Sequence, residues 1–195
     1  MRRIKKELLF VKESNIGGEF MSDDKKQKIH DIAKYRWKPN GKMQNFLSDD
    51  EIYNLTIPRG TLTPEERQVI NDHIVVTINM LDELPYPKHL RNIPEFAGGH
   101  HEKLDGTGYP KGLTKNEMSV QARIMAIADI FEALTARDRP YKKGKTLSQA
   151  MRILGFMKDD AHIDVDLFDI FVKKKIYMKY AKGFLEPEQI DEVSL

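Results

Sequence analysis

Eleven consecutive residues concentrate the chemistry-bearing side chains of this chain: His100-His101-Glu102-Lys103-Leu104-Asp105-Gly106-Thr107-Gly108-Tyr109-Pro110. Imidazoles and carboxylates are ligands for divalent metals. Glycine lets a backbone approach a ligand closely, and the Tyr-Pro pair makes a rigid, ring-bearing corner. The pattern points to a metal site beside a phosphate- or base-binding loop. Further candidates lie elsewhere. His73 borders an apolar helical stripe. Alone it reads as a core-edge histidine bonded to a carbonyl, and together with His100 and His101 it reads as a ligand. Asp129 interrupts the most apolar stretch of the chain. A buried carboxylate there would need a cation, a set of donors or a metal. Arg139 offers a planar fork for phosphate, and Lys142 and Lys143 offer point charges, unless the stretch is a solvated turn.

The elements that must position these groups are helical. Residues 2–13 and 23–36 read as helices, the second started by Ser22 ahead of Asp23 and Asp24. Thr63-Pro64-Glu65-Glu66 combines a capping residue, a first-turn proline and a capping-box glutamate. Behind it, Ile70, Ile74, Ile78 and Leu81 predict a buried stripe. A second helix covers part of Ile93–His101. Adjacent His100 and His101 diverge by about 100° on a helix, so both reach one site only if the backbone turns, and Gly98-Gly99 offers that freedom. Ser119 caps a helix over 120–135 that is apolar nearly all round and so is expected to be central, with Asp129 buried in it. Helices near 147–157 and 165–175 and short turns near 177–184 and 187–193 complete the chain. No alternating strand of useful length is visible. The fold class is all-α, a compact helical bundle, and three imidazoles with one carboxylate on three helices suit a bundle metal site.

Composition narrows the function. Hydrophobic residues are 40% and charged residues 32%, the balance of a globular domain with solvated helix faces. No apolar run approaches the ~18 residues of a membrane span. No signal peptide is visible, and a cytoplasmic location is expected. The absence of cysteine removes disulfides, thiolate metal sites and cysteine nucleophiles. Residues 1–45 carry 12 Lys+Arg against 6 Asp+Glu and the remainder 20 against 24, so the N-terminal segment is the basic one. Without interleaved aromatic residues or a nucleic-acid motif it reads as a solvated helix face, and no nucleic-acid polymer is expected as partner.

The stretch from His100 to Pro110 meets every fixed position of the signature His-His-Glu-x-x-Asp-Gly-x-Gly-Tyr-Pro, and in this the chain resembles the HD-GYP domain family. The likeness extends to Leu62–Glu66 with His73, to Ala128-Asp129-Ile130-Phe131-Glu132-Ala133-Leu134-Thr135 and to Asp138–Lys142, and it covers about residues 57–157. Members are bacterial, all-helical metallo-phosphodiesterases that hydrolyse cyclic di-GMP in signalling. The resemblance implies an HD-domain-like bundle over residues 57–195, preceded by a helical or linker segment over 1–56. It implies that His73, His100 and His101 ligate one divalent metal and Asp129 a neighbouring one. Gly108, Tyr109 and Pro110 would shape the substrate cleft, and Arg139 with Lys142 would hold a phosphate. Nitrogen ligands suit Fe, Mn, Zn or Ni.

The family pattern also contains a His-Asp dyad, usually His-Asp-x-Gly-Lys, after an apolar helix carrying a further histidine. The one His-Asp here is in His30-Asp31-Ile32-Ala33-Lys34, with alanine in place of glycine. Lys25-Lys26-Gln27-Lys28 precedes it, and no histidine lies upstream. It is read as a decoy. Gly17 to Ser48 resembles the linker of a longer subclass whose dyad lies further upstream. The expectation is an N-terminally truncated domain lacking an N-terminal half or sensor domain. Alternatives are an impaired module that binds a ligand or partner, and a phosphohydrolase of another nucleotide.

Overall fold

The computed structural model describes residues 2–16, 18, 20–136 and 144–193. The order of elements is α1 (Arg2–Ile16), α2 (Asp23–Ala33), β1 (Arg36–Trp37), β2 (Gln44–Asn45), α3 (Asp49–Leu55), α4 (Pro64–Asn71), α5 (His73–Asp82), α6 (Ile93–Gly98), α7 (Val120–Thr135), α8 (Leu147–Asp159), α9 (Val165–Lys173) and α10 (Ile176–Phe184). The class is all-α, as expected. The described residues fall into two compact units that meet between Ile70 and Asn71.

In the first unit, Ile29, Ile32 and Ala33 form one stripe of α2 and pack with Leu47 and Leu55. Ser22 sits at the N-cap of α2, but its side chain makes no capping bond. Strands β1 and β2 form a two-residue antiparallel pairing, Arg36 with Asn45 and Trp37 with Gln44. They are too short to register as an alternating pattern. The backbone reverses between them through Asn40 and Gly41, both at positive φ. Helix α3 was not expected from periodicity, yet it carries a start signal: Ser48 and Glu51 form a reciprocal capping box. The capping box at Thr63 and Glu66 forms as anticipated, with Thr63 N–H donating to Glu66 at 2.9 Å and Glu66 N–H to Thr63 Oγ1 at 3.1 Å. The helix it starts is interrupted at Asp72. The predicted stripe is also only partly buried. Ile74 is 1% exposed and Ile70 is 52% exposed, while Ile78 and Leu81 are half-buried.

The second unit is built around α8. Leu147, Ala150, Met151 and Leu154 follow the 3.6-residue period and are all fully buried. They meet Ile127 and Phe131 of α7, Phe168 of α9, and Tyr177 and Ala181 of α10. Ser119 caps α7 as predicted, accepting from Ala122 N–H at 3.1 Å. The expectation that α7 is buried all round fails. Val120, Ile124 and Met125 are exposed, as are Ala128 and Asp129. Residues 124, 125, 128 and 129 share one face of the helix at i+4 spacing. This face is open to solvent, while Ala122, Ala126, Ile127 and Phe131 face inward. The carboxylate of Asp129 therefore stays solvated, and no buried counter-charge is required.

Two buried polar residues close the unit. Asp164 is 1% exposed. It accepts from Asp166 and Leu167 N–H at 3.0 and 3.2 Å, capping α9. It also takes an ion pair from Arg123 on α7 and one from Lys115 Nζ at 3.2 Å. Burial raises its pKa, but the Leu167 N–H, Lys115 and Arg123 outweigh burial and hold it below the usual carboxylate value. Gln189 donates from Nε2 to the carbonyls of Thr135 at 2.9 Å and Lys145 at 3.0 Å. It thereby ties the end of α7 to the start of α8.

Replacing Asp164 by alanine strips Arg123 of a buried partner and α9 of its cap. We expect a loss of about 3 kcal/mol in urea-induced unfolding, and a loss below about 1 kcal/mol would contradict this account. Because the folded pKa is depressed, the charge contribution is complete above the unfolded value near pH 4. It disappears as pH falls through the folded value. The advantage of wild type over D164A is therefore expected to be flat from about pH 5 to 8 and to shrink in acid.

Candidate metal centre

Three elements of the second unit bring the histidines together. His73 is the first residue of α5, and His100 and His101 lie in a short 3-10 turn, Gly99–His101, that continues α6. The helix ends at this turn, with extended backbone at Glu102 (φ −73°, ψ 155°), and at this end both adjacent histidines reach one site. The glycines contribute in a way the sequence reading did not anticipate. Gly98 and Gly99 have ordinary right-handed helical dihedrals, so conformational freedom is not what they supply. They supply room. A Cβ on Gly99 would lie 2.8 Å from the Cβ of Ala122 on α7, and one on Gly98 would lie 2.6 Å from the Ile78 side chain on α5.

One ring nitrogen from each of His73, His100 and His101 lies within 4.8 Å of the others. His73 Nε2 and His101 Nε2 are 3.4 Å apart. Metal–nitrogen bonds of about 2.0–2.1 Å on a tetrahedral ion put two ligands about 3.3 Å apart, so this pair already has the spacing of a shared ion. His100 Nδ1 is 2.5 Å from the carbonyl oxygen of Ala97. A carbonyl can only accept, so Nδ1 is the donor here and Nε2 is the nitrogen that can face a metal. An orienting bond of this kind is the usual companion of a metal-ligating histidine. Burial pushes the His101 pKa down to about 4, with His100 and His73 adding to the depression and Asp129 opposing it. Its imidazole is neutral at ordinary pH, which is the ligand form. The donor set fits a divalent metal.

Asp129 lies outside this three-nitrogen group, but its charge acts on both His101 and Tyr109. It faces the site from α7. The Tyr109 ring stacks on His101 with centroids 4.8 Å apart and planes 16° apart, and Tyr109 N–H donates to the His101 carbonyl at 3.2 Å. Burial and Asp129 raise the Tyr109 pKa, so the phenol stays protonated. The Tyr109-Pro110 peptide bond is cis. Gly108 sits where a Cβ would come 2.3 Å from Lys103 N and 2.4 Å from Glu102 Cα, so no other residue fits. Gly108, Tyr109 and Pro110 thus lie directly against the histidine turn.

The two carboxylates of the His100–Pro110 stretch are not among the grouped ligands. Asp105 accepts from Thr107 N–H at 2.9 Å and Thr107 Oγ1–H at 2.7 Å, forming a local turn. Glu102 is 1% exposed and accepts from Lys111 N–H at 2.7 Å and Leu113 N–H at 2.9 Å. Sequence reasoning counted Glu102 only as one of two carboxylates of a type that ligates metals. A carboxylate next to two histidines reads as a ligand whichever way it points, so the sequence held no signal for this one. Arg139 and Lys142 lie outside the described residues. His30 and Asp31 are exposed on α2, and Asp31 is engaged by Lys34 at 2.8 Å and Gln27 at 3.2 Å. Among the described residues, the group of three histidines contains neither of them.

A helical unit that brings three imidazoles together beside a Gly-Tyr-Pro turn offers a donor set for a divalent metal. Residues 48–167, more than half of the chain, match the model of the HD domain. The chain belongs to the HD domain family, and its signature places it in the HD-GYP branch. It is similar to 3'3'-cGAMP-specific phosphodiesterase 3 of Vibrio cholerae, with 37% identity over 107 residues, 55% of this chain and 22% of that protein. It is similar to a cyclic di-GMP phosphodiesterase of Thermotoga maritima, with 41% identity over 93 residues, 48% of this chain and 25% of that protein. It is also similar to the cyclic di-GMP phosphodiesterase response regulator RpfG of Xanthomonas campestris, with 36% identity over 95 residues, 49% of this chain and 25% of that protein. The matched region is thus about a quarter or less of each of these relatives. Among the described residues, no helix is long and apolar enough to cross a membrane.

The two glycines make a discriminating pair. Gly99→Ala sets Cβ against a Cβ fixed to α7, whereas Gly98→Ala meets Cδ1 and Cγ1 of Ile78, side-chain atoms that, unlike an alanine Cβ, have torsions to shift about. We expect G99A to weaken Mn²⁺ or Zn²⁺ binding by about tenfold in calorimetric titration and G98A to change it by less than about threefold. Equal losses would show that clearance against α7 does not set the histidine geometry.

Proposed function

We propose that this chain carries the three-histidine side of a metal-dependent phosphodiesterase for cyclic di-GMP, in bacterial signalling. The observation that carries the reading is the convergence of His73, His100 and His101 against a loop with the complete His-His-Glu-x-x-Asp-Gly-x-Gly-Tyr-Pro signature. His73, His100 and His101 hold one divalent metal, drawn from Fe, Mn, Zn and Ni, and Asp129 belongs to a neighbouring one. His30-Asp31 is a decoy in this reading, which assigns that second ion no further ligand in this chain.

A bound divalent metal supplies Lewis acidity toward phosphoryl oxygens and a hydroxide near neutral pH. The residues of the chain do the rest. His100 is locked in the Nδ1–H tautomer by Ala97, so its coordinating nitrogen does not rotate away. Tyr109 presents an O–H rather than a phenolate, which suits a dianionic cyclic dinucleotide. Gly108, Tyr109 and Pro110 shape the cleft, and Arg139 with Lys142 brings positive charge to a phosphate.

A second reading differs only in the base. The Vibrio cholerae relative is named as specific for 3'3'-cGAMP, and the same phosphate chemistry serves either dinucleotide. The expected outcome for the purified chain is at most one equivalent of metal by elemental analysis, with turnover of cyclic di-GMP below about 0.01 per second, far under ordinary enzyme rates. Two equivalents with turnover near ~1 per second would overturn the half-site assignment and reinstate His30-Asp31. Faster turnover of 3'3'-cGAMP would favour the second reading. Absence of both metal binding and dinucleotide binding would refute the function.

A further inference from the structure

We infer that Glu102 is the positioning residue of this site, fixing the Gly-Tyr-Pro loop to the metal-ligand turn through two backbone bonds. The inference rests on the phosphodiesterase reading for its consequence, but not for its geometry. Residue 102 follows the ligand His101 directly, and its side chain turns away from the metal group. One carboxylate oxygen takes Lys111 N–H and the other takes Leu113 N–H. Residues 103–110 therefore leave the histidine turn, carry Gly108, Tyr109 and Pro110, and are caught at their far end by the residue from which they started.

Three other contacts give this closure a single geometry. Gly108 rests on the backbone of Glu102 and Lys103. Tyr109 N–H bonds the His101 carbonyl. Asp105 and Thr114 form an antiparallel bridge across the loop. Packing does not hold the far end by itself. A cleft of about 200 Å³ lies behind it, lined by residues including Ile78, Pro94, Gly98, Glu102, Lys111 and Leu113. A loop released from Glu102 has space to shift into.

The chemistry of the contact demands a carboxylate. Both donors are backbone N–H groups, so both partners must be acceptors. A glutamine of the same size would offer one carbonyl oxygen and set its NH₂ against the second N–H. An aspartate would keep both acceptors but fall one methylene short of spanning them. Either change removes at least one of the two bonds that hold the far end of the loop and leaves His73, His100 and His101 in place. The expected signature is thus a loss of dinucleotide binding without a matching loss of metal.

The test uses the full chain and its E102Q and E102D variants. Amide hydrogen exchange is followed by NMR, and binding of Mn²⁺ and of cyclic di-GMP by calorimetry. Exchange at Lys111 or Leu113 should accelerate by about tenfold or more, while Phe131 and Leu154 in the core stay protected. Affinity for cyclic di-GMP should fall about tenfold and that for Mn²⁺ by less than about threefold. Metal and dinucleotide affinity falling together would make Glu102 a support of the ligands instead, and unchanged dinucleotide affinity despite released amides would also overturn the inference. If the wild-type chain binds no cyclic di-GMP, the functional reading fails. The exchange rates then still decide whether Glu102 anchors the loop.

Discussion

Three imidazoles can meet in this fold because the backbone of the histidine turn comes closer to two neighbouring helices than a residue with a Cβ would permit. Gly99 lies against the Cβ of Ala122 on α7, and Gly98 lies against the Ile78 side chain of α5. A methyl group on Gly99 would push the turn away from α7 and so change its placement relative to α5, where His73 stands. The same approach puts Asp129 of α7 within electrostatic reach of His101 and Tyr109. Ligand spacing, the depressed His101 pKa and the placement of the Gly-Tyr-Pro loop all follow from that clearance.

The site is organised in two directions from a single dipeptide. From His101, a ring faces the other imidazoles and stacks on Tyr109. From Glu102, a buried carboxylate reaches the other end of the loop. Alternation of a surface-directed ligand with an inward-directed anchor needs the extended backbone that begins at Glu102. A continuous α-helix through this point would have sent the two side chains to neighbouring positions on one cylinder instead. The short helix and its early end are thus part of the chemistry.

Much of this was legible in the sequence, and the parts that were not share a cause. The Thr63–Glu66 capping box, the Ser119 cap, the amphipathic helix near 147–157 and the candidacy of the three histidines rest on local rules, and the described structure forms both of these caps, places a helix over Leu147–Asp159 and brings those histidines together. What failed concerned which surfaces meet. The apolar content of α7 suggested burial on all sides, but periodicity records how much apolar surface a helix has and not whether a neighbour covers it. Ile124, Met125 and Ala128 face solvent beside Asp129. The role of Gly98-Gly99 was taken as conformational, and only the neighbouring atoms show that it is spatial. Glu102 was invisible for the same reason, since its partners are backbone groups that no residue identity announces.

Gln189 extends the logic to the far end of the chain. One side-chain amide group bonds Thr135 and Lys145, the two flanks of the stretch that contains Arg139 and Lys142. It works as a buckle: the end of α7 and the start of α8 are joined by a residue more than forty positions away in sequence. Changes to the short turn Pro187–Gln189, whether by mutation or by an affinity tag joined too closely, would therefore be felt at the spacing between α7 and α8 rather than locally. A C-terminal modification would then register in the packing of α7 against α8, although it looks remote from every residue of the histidine cluster.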